Sequence, residues 1–280
     1  IIILIDLIAC QICKMNKVIF IFGDGNLPKL ILKKIKKTNF EFKILFIGEK
    51  RVYKSLNTEF VKLGKIITEL KKLQKKGFSH ILMAGSINRP RLSDIKPDFN
   101  SLKLLPKFTK TLFEGGDNKL LKFVIKELEN LHFKILFIHK TFPDLFLGFG
   151  NQTKIKISNS FLKDIHKGSL ILKNNSKFDI GQSILIQEGN VIGIEAAQGT
   201  DNLIKQSLPY MKKVKKGLLI KLTKVKQDLR ADLPTIGLKT LKNCHKSGVV
   251  GIAYSANKTI FLDKEKVLSF CRKNKFFLYG

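Results

Sequence analysis

From Lys17 onward, short unbroken apolar runs alternate with stretches in which apolar residues recur every three or four positions. Residues 18–22 (VIFIF) read as a buried strand, and the runs at 42–48, 80–85 and 133–138 predict three more. Between them, 27–37, 60–76, 101–113 and 118–130 carry helical spacing. In the second of these, Leu63, Ile66, Ile67, Leu70 and Leu73 share one face and Gly77 stops the helix. Strands that alternate with helices in this way predict a mostly parallel sheet covered on both faces, an α/β domain.

The pattern changes over 140–158, where glycines, a proline and polar residues interrupt the periodicity. A domain boundary is expected there, giving domains 15–142 and 143–280. The second half predicts helices at 159–173, 201–213, 239–247 and 264–274, and a strand at 217–223. Residues 184–196 alternate around Glu188-Gly189-Asn190, a hairpin signature, and a second hairpin is expected for 249–254 and 258–263 across Ser255-Ala256-Asn257. The result is a second, mixed α/β domain with antiparallel elements.

A chain of 280 residues with 44% apolar and 26% charged positions can bury a real core in each half. The formal charge of +30 comes almost wholly from lysine, since only Arg51, Arg89, Arg91, Arg230 and Arg272 are arginines. Abundant Lys, Ile, Asn and Phe with no Trp match AT-rich coding. The lysines are scattered, and no nucleic-acid module is legible, so no nucleic-acid partner is expected. Scarcity gives Arg89 and Arg230 weight, because a guanidinium grips phosphate or carboxylate bidentately. Cys10 and Cys13 form a lone CxxC; Cys244 and Cys271 read as core thiols, in keeping with a reducing compartment. Residues 1–14 are apolar but include Asp6, and Met15 opens a plausible start, so an upstream extension is expected there.

Five stretches carry candidate chemistry. Gly23-Asp24-Gly25-Asn26-Leu27-Pro28 follows a strand and opens a helix, where backbone amides and the helix dipole favour phosphate; a plain tight turn fits equally well. Gly85-Ser86-Ile87-Asn88-Arg89-Pro90 ends the third strand, at the edge where open α/β sheets place ligands. Gly115-Gly116-Asp117 precedes a helix, and Asp117 reads first as its N-cap. Asp179-Ile180-Gly181-Gln182, with Glu195-Ala196-Ala197-Gln198-Gly199-Thr200-Asp201, offers oxygen donors for a hard cation, Thr200 and Asp201 serving equally as helix-start residues. Gln227-Asp228-Leu229-Arg230-Ala231-Asp232-Leu233-Pro234-Thr235-Ile236-Gly237 sets two carboxylates around an arginine, which suits metal-assisted phosphoryl chemistry as well as a solvated loop. The five histidines show no catalytic spacing.

In this order, GxGxLP, AGxxxRP, GD before a helix, DIGQ, EAxxGTD and QDxRxDLPTIG resemble the LpxI family of UDP-2,3-diacylglucosamine pyrophosphatases, from about Asn16 to Gly280. The resemblance implies a Rossmann-like N-terminal domain and a C-terminal α/β domain with substrate between them. It also implies Mg²⁺-dependent (or Mn²⁺-dependent) hydrolysis of a lipid-linked nucleotide sugar to UMP and lipid X, at the cytoplasmic face of the inner membrane in peripheral contact with it, and leaves a homodimer open. Asp232 corresponds to the essential aspartate, with Asp228 and Arg230 completing the catalytic set. Asp232, Asp228, Glu195 and Asp201 are the expected metal ligands. Gly23, Gly25, Asn26, Leu27, Gly85, Asn88, Arg89, Asp117, Gln182 and Thr200 are the expected substrate contacts. Gln198 stands where the family usually has Glu, and Ser183 where it has Gly.

Two other functions fit parts of the pattern. Strand–GxG–helix with Glu49 after the second strand fits a nicotinamide-dependent oxidoreductase. The charge fits a basic, non-enzymatic binding protein whose nucleic-acid binding would weaken steeply with salt.

Overall fold

The computed structural model describes residues 17–38, 40–48, 57–91, 95–114, 116–212 and 216–280. The expected extension at 1–14 with its CxxC, the start at Met15, and Glu49 and Gly115 lie outside them. The chain forms two compact units. One runs to Phe142 and takes in Asp228–Asp232; the other comprises Pro143–Gln227 and Leu233–Gly280.

In the first unit, β1 (Lys17–Phe22), β2 (Glu41–Phe46), β3 (Thr58–Phe60), β4 (His80–Ala84) and β5 (Lys134–Ile135) form a sheet of order β3-β2-β1-β4-β5. Every pairing is parallel. β1 and β4 are buried along almost their whole length, as strands covered on both faces must be. The helices are α1 (Asn26–Ile35), α2 (Ile66–Lys75), α3 (Phe99–Leu102), α4 (Leu105–Glu114), α5 (Asp117–Asn130) and α6 (Ile138–Thr141). Leu70 and Leu73 of α2 and Ile125 and Leu128 of α5 join Ile19, Leu45 and Ile81 of the sheet in one apolar cluster. Phe22 is level with both Phe46 and Ala84, so the loops leaving β1, β2 and β4 emerge side by side.

Three details differ from expectation. The helix predicted over 101–113 is broken between α3 and α4, since Pro106 has no N–H to continue the backbone ladder. The strand predicted over 133–138 keeps only two paired residues before α6 begins. β3 was not legible as a strand; its short TEF sequence is held by the edge of β2.

In the second unit, β6 (Ser183–Gln187), β7 (Asn190–Ile194), β8 (Gly217–Lys221), β10 (Val249–Tyr254) and β12 (Phe277–Tyr279) give the order β12-β10-β8-β6-β7. α7 (Asn159–Asn175) packs one face, with Leu172 against Ile184, Ile186 and Ile220. α8 (Thr200–Ser207), α9 (Leu238–Lys246) and α10 (Lys264–Lys273) pack the other through Ile204, Leu241, Cys244, Val267 and Cys271. Both of these cysteines are buried, and burial pushes the Cys271 thiol up to about 12.

β6 and β7 form the expected antiparallel hairpin, with Glu188 and Gly189 both at positive φ (51° and 79°) as a tight hairpin turn requires. The second predicted hairpin does not form. β10 lies between β8 and β12, parallel to both, while β11 (Ile260–Phe261) pairs in parallel with β9 (Thr235–Ile236). VVGIAY is buried on both faces and suits a central parallel strand, and the Asn257 N–H donates to the Leu147 carbonyl (2.9 Å). Among the described residues no helix is long and apolar enough to cross a membrane.

Candidate functional site

The strand order of the first sheet reverses between β1 and β4, which lie next to each other while their chains continue in opposite lateral directions. Such a reversal opens a crevice at the carboxyl ends of the strands. The glycine turn and the Ser86 loop meet there. Asp24 N–H donates to the Ser86 carbonyl (2.7 Å), Ser86 N–H to the Asp24 carbonyl (2.9 Å), and Gly23 N–H to the Ala84 carbonyl (2.9 Å). The approach tolerates no side chains. A Cβ on Gly23 would stand 2.2 Å from the Ser86 oxygen, and one on Gly85, whose φ is 95°, 2.7 Å from the Asp24 oxygen. Gly25 and Asn26 are exposed at the start of α1, Leu27 is half-buried, and Pro28 sits in the first helical turn.

Asn88 and Arg89 lie on the exposed part of the second loop. Arg89 donates to the Leu112 carbonyl and stands 3.6 Å from the Asp117 carboxylate. Asp117 is not the N-cap of α5: Gly116 holds that place, extended at φ −73° and ψ 175°, and Asp117 is the first helical residue. Its charge there complements the helix dipole and the arginine.

The acidic turn belongs to the first unit, although it was expected within a continuous 143–280 domain. Ala231 packs on the first unit's apolar cluster, and Arg230 bonds Glu129 of α5. Arg230 also grips Asp228 bidentately, Nε to Oδ1 at 2.9 Å and Nη2 to Oδ2 at 2.7 Å. The guanidinium bonds hold the Asp228 carboxyl below its ordinary range against the opposing effect of partial burial, and raise the Arg230 pKa in turn. Asp228 therefore orients Arg230. The Asp232 N–H donates to the Asp228 carbonyl (3.2 Å), closing the turn. Glu129 lies near one end of α5 and Asp117 at the other, about 18 Å apart along the axis at 1.5 Å per residue. The Arg230 anchor and the Arg89–Asp117 pair thus mark opposite ends of one helix.

The second unit holds a separate buried polar cluster. Thr200, the first residue of α8, donates to Glu195 Oε1 (2.8 Å) and accepts from Lys221 Nζ (2.7 Å). Ser183 lies 3.2 Å from the same hydroxyl, and the Gln182 N–H donates to Glu195 Oε2 (3.1 Å). Burial alone would push the Glu195 carboxyl up. The Lys221 ammonium, with bonds from Ser183, Thr200 and the Gln182 amide, outweighs burial and holds it below its usual value. Asp201 accepts from Thr240 (3.1 Å) and pairs with Lys239 (3.1 Å). Gln198 closes its own turn, accepting from the Ala196 N–H (3.0 Å) and donating to the Ile194 carbonyl (3.3 Å).

The four expected metal ligands are therefore not gathered into one preformed set. Among the described residues no three His, Cys, Asp or Glu side chains come together to hold an ion. Asp228, Glu195 and Asp201 already accept from Arg230, from Thr200 with Gln182, and from Thr240 with Lys239. Mg²⁺ commonly binds through one or two carboxylates together with substrate phosphates, and the oxygen chemistry of the acidic turn fits that mode. Lys221 and Glu129 went unnoticed in the sequence, and Ser183 was noted only as a replacement for the family's Gly. For Lys221 a signal exists: a lone lysine ending a strand buried throughout, which must find an anionic or hydroxyl partner.

The fold defines a two-unit α/β protein: a parallel sheet with a glycine loop at its strand-order reversal, and a mixed sheet with a buried Glu–Thr–Lys cluster. Residues 17–145 match the LpxI N-terminal domain and residues 149–279 the LpxI C-terminal domain. The chain belongs to the LpxI family. It is 30% identical over 215 residues to UDP-2,3-diacylglucosamine pyrophosphatase LpxI of Caulobacter vibrioides, covering 75% of this chain and 76% of that protein.

Proposed function

We propose that this protein hydrolyses the diphosphate of UDP-2,3-diacylglucosamine to UMP and 2,3-diacylglucosamine 1-phosphate, a lipid A precursor, by attack of water on the α-phosphorus. Membership of the LpxI family across both units carries this proposal. The glycine loop at the β1/β4 reversal supports it, because exposed backbone there suits a nucleotide diphosphate. Gly25 and Asn26, exposed at the start of α1, approach the phosphates through backbone amides, and Gly23, whose own N–H is taken by the Ala84 carbonyl, lets the two loops close up beside them. Arg89, positioned by Asp117, neutralises developing charge there, while Arg230, bound by Asp228 and Glu129 at the other end of α5, holds the acidic turn.

Asp232 orients the attacking water and would hold Mg²⁺ together with substrate oxygens. When bound, the cation supplies charge neutralisation to the leaving group. The Glu195–Thr200–Lys221 cluster keeps the α8 turn, with Gln182 and Asp201, in a fixed shape. The protein works at the cytoplasmic face of the inner membrane, in peripheral contact with it.

The test is hydrolysis of purified substrate in ¹⁸O-labelled water with Mg²⁺ or Mn²⁺. Label in UMP is expected. Label in the lipid phosphate would overturn the point of attack, and NADH binding without UMP release would favour the oxidoreductase.

A further inference from the structure

Residues 99–113 of the first unit have one side packed and the other in water. Asp98 caps α3, accepting from the Ser101 N–H (2.9 Å) and the Thr68 hydroxyl (2.5 Å), and Asn100 bonds Thr68 (2.9 Å). α3 is thereby pinned to α2. Leu112 is buried and Phe108 meets Phe123 of α5 at 6.1 Å, so the inward side of α4 is also fixed. Backbone bonds from Leu104 to Ser101 and from Phe108 to Leu104 carry the helical sense through the turn between them.

The outward positions are Phe99, Leu102, Lys103, Pro106, Lys107, Lys110 and Phe113. Phe99 is 83% exposed, Phe113 73% and Leu102 53%. Phe99 and Leu102 stand exposed on α3, and Pro106 and Phe113 lie two turns apart on α4, with exposed lysines at 103, 107 and 110 between and beside them. Folding does not explain this exposed face, because the segment already buries its other side. Among the described side chains each outward residue is apolar or lysine. Lysine is depleted at protein–protein interfaces, whereas bare aromatics bordered by lysine suit a bilayer boundary with anionic headgroups.

We propose that the outward face of α3 and α4 docks on an anionic lipid surface. Phe99, Leu102 and Phe113 enter the acyl boundary, while Lys103, Lys107 and Lys110 meet lipid phosphates. The Leu112 carbonyl, one residue before Phe113, accepts from Arg89, so the docking face adjoins the loop assigned to the diphosphate. A diacylated substrate resides in a bilayer, and in this sense the surface rests on the function proposed above.

The experiment is co-sedimentation of the full chain with phosphatidylglycerol–phosphatidylethanolamine vesicles and with phosphatidylcholine vesicles. Binding to the first, weakening with salt and absent from the second, is expected. Phe99→Ser with Phe113→Ser should weaken it by about tenfold or more per phenylalanine. Lys103→Glu with Lys110→Glu should weaken it by at least about fivefold per lysine. All these variants should hydrolyse detergent-dispersed substrate at the wild-type rate, which separates docking from chemistry. No binding to the anionic vesicles, or binding unchanged in the phenylalanine variant, overturns the proposal. A wild-type dimer in light scattering that the same variant dissociates also overturns it, in favour of a second copy on this face.

Discussion

Replacing Lys221 by Met tests the buried cluster of the second unit most directly. Lys221 and Glu195 are each 7% exposed and share the Thr200 hydroxyl at 2.7 and 2.8 Å. Methionine matches the lysine stem but strands a buried carboxylate, and breaking one side of such a pair costs about 3–5 kcal/mol. For a unit of this size that lowers the melting temperature by about 10–20 °C. Lys221→Met with Glu195→Gln should lose less than the two single changes added together, by about 2 kcal/mol or more, since neither charge is then unpaired. The pH dependence has a definite sign. In the wild type, Glu195 is held below its ordinary value, so its stabilisation is complete above about pH 4.3 and is lost as pH falls through the depressed folded value. Without Lys221, burial dominates and raises that value, so the variant's deficit should narrow on acidification. Calorimetric melts between neutral pH and pH 4 measure both effects. Additive losses in the double variant, together with a deficit that does not change with pH, would refute the coupling.

Asp232→Ala should abolish UMP release while leaving the melting temperature within a few degrees of wild type; appreciable turnover in a discontinuous chromatographic assay would remove Asp232 from the chemistry. Gly85→Ala puts a Cβ at φ 95° and 2.7 Å from both the Asp24 oxygen and Pro28 Cγ. It should cost about 2–4 kcal/mol in urea titration and raise KM by disordering the glycine loop. Gln198→Glu keeps the bond from the Ala196 N–H but loses the donation to the Ile194 carbonyl. A loss of about 1 kcal/mol is expected, and a more stable variant would contradict the turn-closing role of the glutamine.

Much of the first unit was legible because its strands are continuous apolar runs ending in glycine and its helices keep a clean periodicity. VIFIF, HILMA and the α2 face needed no tertiary information. The elements that escaped are those whose pairing is decided elsewhere. TEF becomes a strand only on the edge of β2, and the two residues of β9 only beside β11. VVGIAY was correctly a strand, but its partners lie far off in sequence, and local turn chemistry at Ser255–Asn257 wrongly suggested its neighbour. The candidate loops of β1 and β4 could be named from glycine and strand-end logic. That Asp228 engages Arg230, and that Lys221 lies under Thr200, depends on side-chain directions that no spacing encodes.

The excursion of Asp228–Asp232 into the first unit bears on how the protein can be dissected. A recombinant fragment beginning at Pro143 would carry this pentapeptide without the Glu129 and apolar contacts that anchor it, and a fragment ending at Phe142 would lack it altogether. Chimeras built by exchanging halves between relatives inherit the same mismatch unless α5 and the pentapeptide travel together. The two structural units are interleaved along the sequence, and any shuffling of one must respect a short passage borrowed by the other.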